Sequence, residues 1–128
     1  MIESSKKTFT VGATALARRV LVKLASSLLV VNTATATDLP LGVTEYSAAA
    51  GEDVAVRLLN SGGTVELTAA GAITAGAVVY AAADGEIQAL PATAATYLQI
   101  GIAMEAAAAD QDIIEVMPWD FGQTKTVS

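Results

Sequence analysis

Cysteine and histidine are both absent from the 128-residue sequence. Their absence excludes disulfides, thiolate and imidazole metal ligands, cysteine nucleophiles and histidine general bases. Aromatic residues are scarce at 5%, although hydrophobic residues reach 53%. The core must therefore consist mostly of Ala, Val, Leu and Ile, whose burial stabilises by roughly 25 cal/mol per Å². Small side chains bury little area each, so a core of this kind favours association with partner subunits.

Basic residues are few and concentrated near the N-terminus. The formal net charge of −6 argues against a nucleic-acid-binding protein. Residues 1–23 carry five basic residues against Glu3 alone, a net +4, whereas residues 24–128 carry two basic residues against twelve acids, a net −10. This asymmetry predicts a basic N-terminal arm over residues 1–19, within which Phe9 to Leu16 form either a first strand or an extended arm. Its two open interpretations are contact with an acidic surface and a solvated tail.

No long apolar run is present. Residues 20–31 follow Arg18-Arg19 like a weak signal peptide, but Lys23 interrupts them. They are also shorter than the roughly 20 residues that a membrane-spanning helix needs. The pattern predicts an ordinary strand and no membrane association.

One stretch occurs twice. Residues 39–59 and 98–118 align at an offset of 59 residues without gaps, which pairs Gly42 with Gly101 and Asp53 with Asp112. Apolar positions match as well, since Val43 pairs with an isoleucine. An internal repeat of this kind predicts one structural unit used twice.

Short, β-branched, turn-punctuated segments predict an all-β fold. Residues 20–33 read as strand, turn and strand rather than as a helix. Turn residues at 60–63 predict a hairpin over 53–69, and Asp84-Gly85 predicts another. The expected fold is a compact β-barrel or sandwich of about 8–10 strands. One domain spans 20–122, with halves at about 20–64 and 77–118, followed by a tail at 123–128.

No catalytic constellation is present. Glu52-Asp53 and Asp110/Asp112 lie at turn exits, where acids are common for backbone reasons. The turns lack the interleaved pattern of a calcium loop, and no P-loop, GxGxxG or GxSxG motif occurs. The sequence predicts that the protein is not an enzyme and has neither a cofactor nor a metal site.

Surface contact is the remaining chemistry, and it points to the two ends of the chain. Trp119 and Phe121 either cap an open barrel end or anchor an interface, because tryptophan is enriched at binding hot spots. The predicted interface residues are Lys6, Lys7, Phe9, Arg18, Arg19, Trp119 and Phe121.

The duplicated pattern resembles the small capsid decoration, or cement, proteins of tailed phages. The similarity covers roughly residues 10–117. The residues that carry it are Leu41-Gly42-Val43, Gly51 to Val56, Ile73 to Tyr80, Asp84-Gly85, and Ile100-Gly101-Ile102 through Val116. The chain departs from the pattern in a longer C-terminal segment, and in Asp110-Gln111 where the first copy has Gly51-Glu52.

The resemblance implies a protein made in the host cytoplasm that binds the outer surface of an assembled phage head. It implies the major capsid protein as partner, capsid stabilisation by bridging neighbouring capsomers, and a homotrimer, with a dimer as second choice. It implies no nucleic acid, membrane or catalytic residues. The alternative function is a carbohydrate-binding or adhesive module on the virion, for which only Trp119 and Phe121 supply aromatic side chains.

Overall fold

The computed structural model describes residues 6–33, 35–59, 63–118 and 124–128, and its regular structure is almost entirely β. Within these residues, no helix is long and apolar enough to cross a membrane. One 3₁₀ turn spans Ala83–Gly85. The strands are β1 Lys6–Val11, β2 Leu21–Ser26, β3 Leu29–Asn32, β4 Gly42–Thr44, β5 Asp53–Leu58, β6 Val65–Thr68, β7 Val78–Ala81, β8 Ile87–Gln88, β9 Ala95–Ala103, β10 Ile113–Pro118 and β11 Thr124–Val127.

The first five strands close into a barrel in the order β1-β3-β2-β4-β5. β1 pairs antiparallel with β5 and parallel with β3, and the remaining pairs are antiparallel. Alternate side chains of these strands face one interior, as the period of a strand requires. The interior holds Phe9, Val11, Leu16, Val22, Val30, Ala48, Val54 and Val56. The predicted all-β barrel is confirmed.

The next five strands repeat the same pairing scheme. They run in the order β6-β10-β9-β7-β8. In this scheme β6 corresponds to β1, β7 to β2, β8 to β3, β9 to β4 and β10 to β5. The parallel bridge between Ala69 and Ile87 links β8 back towards β6, as Val11 and Val30 link β1 to β3. The internal duplication therefore extends over residues 6–59 and 63–118. Each half begins one strand earlier than the sequence predicted.

The two copies differ by one residue in a turn. Gly42 lies opposite Leu58, whereas Gly101 lies opposite Pro118, which is an offset of 60 for β5 and β10. The glycines support this register, because an added Cβ would collide with the carbonyl oxygen of Arg57 in one half and of Met117 in the other. The gapless alignment expected from the sequence is therefore wrong after the alanine-rich turn, where the second half has one extra residue.

The halves pack through a face of the first barrel. Leu21 and Val43 are 0% and 2% exposed, and both join the core of the second half rather than the interior of their own barrel. Gly85 permits this approach, because its φ is +75° and an added Cβ would lie 2.6 Å from the carbonyl oxygen of Leu21. Glycine adopts such a backbone without steric cost. The duplicated halves thus share a continuous hydrophobic core.

The strand interpretation of residues 20–33 is confirmed as the β2–β3 hairpin, and Asp84-Gly85 does connect a β7–β8 hairpin. The hairpin predicted over 53–69 is wrong. β5 pairs with β1 and β4, and β6 pairs with β10, because β5 is the last strand of the first half and β6 the first strand of the second.

Both chain ends also differ from expectation. The predicted arm over 1–19 is wrong from residue 6 onwards, since β1 is needed to close the first barrel and Leu16 is 2% exposed. The predicted tail over 123–128 contains β11, which pairs with Ala95–Leu98 at the start of β9. Val127 packs there against Tyr80 and Tyr97. Backbone pairing therefore orders both polar segments where side-chain patterning gave no signal.

Candidate interaction surfaces

A charged groove of about 420 Å³ runs between the halves. Glu45 is its centre, with Lys6 Nζ at 3.7 Å and Arg19 Nη1 at 3.3 Å from its carboxylate oxygens. Arg19 also reaches Glu66 across the boundary at 3.6 Å. Because the Arg19 side chain is only 28% exposed, this chain of ion pairs is partly shielded from solvent. It ties β1 and β6, which are equivalent strands of the two halves.

The opposite wall of the groove is acidic. Glu105 and Glu115 line it beside Arg57, and the hydroxyl of Thr64 donates to Glu115 at 2.5 Å. Among the described residues no group of three or more acids is arranged to hold a metal ion. The groove presents both signs of charge within a few ångströms, an arrangement suited to polar side chains of a protein partner.

A second cavity of about 390 Å³ lies on another side of the boundary. Arg18 lines it from the first half, and Asp84, Glu86 and Gln111 line it from the second. Gln111 donates from its amide to the carboxylates of Glu86 and Asp110. The cavity therefore combines one guanidinium with an acidic wall. Like the groove, it owes its charge to the meeting of a basic and an acidic half.

The structure separates the predicted basic contact residues into two places. Lys6 and Arg19 lie in the groove, and Arg18 lines the second cavity. Lys7, on β1, is half-buried and lies opposite Val56 of β5. Phe9 requires correction, because it is 5% exposed and its ring packs inside the first barrel. It is a core residue and offers no surface in the isolated chain.

Aromatic side chains contribute little to the described surface. Trp119 and Phe121 lie outside the described residues. Tyr80 and Tyr97 are buried and meet edge to face, with ring centroids 6.2 Å apart. Tyr46 is 50% exposed, and its hydroxyl accepts a hydrogen bond from the amide of Ala55 at 3.2 Å. The described residues therefore form no exposed aromatic platform of the kind that sugar-binding modules use.

A set of exposed aliphatic side chains is not among the contact residues that the sequence predicts. They are Leu24, Leu28 and Leu39 in the first half, and Leu90, Met104 and Met117 in the second. One signal was available in the sequence, because leucine stands at the β2–β3 turn where glycine or asparagine is usual. Leu28 indeed has a φ of +55° and is 53% exposed.

Comparison with known proteins places the chain among phage structural proteins. A family model described as phage cement protein matches residues 3–118. No match was found among curated proteins. The fold is similar to that of the head fiber gp8.5 N base in bacteriophage phi29, with a TM-score of 0.73 and 15% sequence identity over 89% of this chain and 92% of that chain. At this identity the likeness to the solved structure concerns the fold alone.

Proposed function

Because the chain belongs to the phage cement protein family, we propose that it binds the outer surface of an assembled phage head and stabilises it by bridging neighbouring capsomers. The family makes the chain a structural, virion-associated protein. The proposed partner is the major capsid protein, and the proposed assembly is a homotrimer. The observation that carries this proposal is the family match over residues 3–118.

The architecture supports a bridging role. The first barrel is closed, so it exposes no unpaired strand edge that would aggregate with other chains. The second half is fused to it by a shared core. A body of this kind would hold two attachment points at a fixed separation. Several contacts made at once would then add through avidity.

The predicted contact residues support an electrostatic part of the attachment. Arg18 is exposed, and Lys6 keeps 56% of its side chain accessible while it pairs with Glu45. Lys6 and Arg19 lie in the groove and Arg18 lines the second cavity, while Lys7 is half-buried on β1, so the first half carries basic groups on more than one surface. We propose that these basic groups face acidic groups of the shell. Trp119 and Phe121 stay predicted contact residues.

The proposed mechanism is thermodynamic. A ligand that binds the assembled shell but not its dissociated subunits stabilises the shell by mass action. Heads should therefore be compared with and without the protein during heating or transfer to low salt. The expected result is a higher temperature of genome release, or slower release, for decorated heads. Equal survival of decorated and bare heads would overturn the stabilising role.

A charge reversal tests the contact surface separately. Arg18→Glu should lower the number of copies that co-sediment with heads, because it places an acid where the proposal requires a base. Lys125→Glu is the matched control, since Lys125 is also exposed but lies on β11. Loss of occupancy in both variants to the same extent would point to net charge rather than to a local contact.

A further inference from the structure

The contact between the two halves is head to tail rather than two-fold symmetric. The amide of Gly85 donates to the carbonyl of Thr33 at 3.0 Å, and the hydroxyl of Thr33 donates to the carbonyl of Ala82 at 3.4 Å. By the shared pairing scheme, Gly85 corresponds to Leu28, because Ile87 corresponds to Val30. Thr33 likewise corresponds to Leu90. A two-fold contact would bury Leu28 against Leu90, yet these residues are 53% and 42% exposed.

Head-to-tail packing leaves one copy of each contact face open. The first half contacts the second through its residues Leu21 and Val43. The counterparts of these residues in the second half are Val78 and Ile102, which lie side by side on β7 and β9. Both are only partly buried, and Ile102 lies opposite Met117, which is 39% exposed. One side of Val78 packs against the cluster of Ala36, Tyr80 and Tyr97, so the open surface lies towards Ile102 and Met117. We call the open surface of the second half, formed by Val78, Leu90, Ile102 and Met117, the acceptor face.

The first half carries the complementary open surface. The second half contacts the first through its residues Ala82, Gly85 and Leu98. The amide of Leu98 donates to the carbonyl of Ala36 at 3.2 Å. Their counterparts in the first half are Leu28, Ala25 and Leu39. Leu28 and Leu39 are 53% and 58% exposed, and neighbouring Leu24 is 53% exposed. We call the surface formed by Leu24, Ala25, Leu28 and Leu39 the donor face.

Charge favours the union of the two faces from different copies. Residues 6–59 carry six basic and four acidic residues, a formal charge of +2. Residues 63–118 carry seven acidic residues and neither lysine nor arginine, a formal charge of −7. The first half of one copy therefore attracts the second half of another copy. Two first halves repel each other weakly, and two second halves repel each other more strongly. This asymmetry steers association towards the head-to-tail arrangement.

We propose that the donor face of one copy docks on the acceptor face of a second copy, repeating between chains the contact that joins the halves within a chain. The occupant of each open face is thus another copy of this protein. A head-to-tail contact that closes on itself gives a ring, and a homotrimer is one such ring. The inference deepens the proposed function by assigning its subunit interface, but it concerns self-association and is tested without phage heads.

The backbone of Leu28 is consistent with this assignment. A leucine at a φ of +55° is strained, and its second-half counterpart is the glycine that such a backbone favours. An exposed, strained and apolar residue is not explained by the stability of the isolated chain. Functional sites are where such strain is commonly found, and a role as interface anchor accounts for it here.

Cross-linking tests the arrangement, because the chain has no cysteine of its own. Leu28→Cys and Leu90→Cys variants should be prepared separately, mixed, and treated with a short bifunctional maleimide. These two positions correspond to Gly85 and Thr33, which are in direct contact within the chain. The mixture should give a mixed dimer far faster than either variant alone or a mixture of Leu28→Cys with Tyr46→Cys. Equal rates in all mixtures, or efficient dimers of Leu28→Cys alone, would overturn the proposal.

Two substitutions separate association from folding. Leu28→Asn suits the positive φ, so the unfolding temperature should not fall, while self-association weakens by about tenfold, as expected for one lost anchor. Met117→Asp should likewise weaken association and leave folding intact. A marked fall in the unfolding temperature of Met117→Asp would mean that the acceptor face is covered by other residues of its own chain, which contradicts the proposal. Unchanged sedimentation of both variants would contradict it too. Neither result decides whether the protein binds phage heads, which the co-sedimentation experiment measures separately.

Discussion

Single carboxylates close the two alanine-rich turns, and they reveal which residues are true counterparts. The amide of Ala49 donates to Glu52 at 2.7 Å, and the amides of Ala108 and Ala109 donate to Asp112 at 2.8 and 3.2 Å. Glu52 and Asp112 therefore accept equivalent hydrogen bonds from the turn amides, although the gapless alignment pairs Asp112 with Asp53. The extra residue of the second turn accounts for this shift. Side-chain acceptors of this kind satisfy amides that the turn would otherwise leave unpaired.

The turns yield a prediction at the scale of one residue. Glu52→Ala and Asp112→Ala should each lower the free energy of unfolding by about 1 kcal/mol, the usual net value of a lost hydrogen bond. Asp53→Ala should cost less, since Asp53 contributes only a 3.3 Å contact from the hydroxyl of Thr10. Urea denaturation measures all three. A larger effect for Asp53→Ala than for Glu52→Ala would favour the gapless alignment instead.

At the scale of the element, β1 decides whether the first half is a barrel. Its residues pair with β5 over Lys6 to Thr10 and with β3 at Thr10 and Val11. Phe9 and Val11 fill the interior that these pairings enclose. Four of its six residues, Lys6, Lys7, Thr8 and Thr10, are polar, so the sequence was compatible with an arm as well as with a first strand. The partner strands, and not the segment itself, determine its conformation.

Truncation of Phe9 distinguishes the two roles predicted for this segment. As a core residue, Phe9→Ala should lower the free energy of unfolding by about 3–5 kcal/mol, because it leaves a cavity in a barrel of small side chains. Thermal and urea unfolding of the isolated protein measure this effect. Thr8→Ala is the matched control on the exposed side of β1, and it should change stability by less than about 0.5 kcal/mol. A stable Phe9→Ala variant with impaired head binding would instead support a role for Phe9 in surface contact.

At the scale of the whole molecule, the duplication is used asymmetrically. Equivalent positions of the two halves differ in burial, because each half packs with a different face. Leu21 is fully buried between the halves, while its counterpart Val78 lies on the acceptor face. The basic first half and the acidic second half meet at the ion pairs of Arg19 with Glu45 and Glu66. The same asymmetry that joins the halves leaves apolar surface open at both ends.

The shared core predicts that the halves unfold together. Leu21→Ala should lower the free energy of unfolding by about 2–5 kcal/mol and reduce the cooperativity of the transition, because it weakens the contact between halves. Val78→Ala, at the equivalent position of the second half, should cost clearly less. Denaturation followed by both circular dichroism and tyrosine fluorescence measures cooperativity. Equal losses for the two variants would contradict the head-to-tail packing of the halves.

The sequence alone determined the class of fold, the duplication, the absence of histidine and cysteine chemistry, and the family resemblance that the family model confirms. These properties reside in composition and in local patterns, such as the glycine at 42 and 101 and the short β-branched segments. Only the tertiary structure decided the register of the second turn, the placement of Phe9 in the core, the pairing of β11 and the separation of β5 from β6. Each of these depends on which distant strand offers a partner, and local sequence does not contain that information. The exposure of Leu28 and Met117 is likewise a consequence of how two similar halves choose different faces to bury.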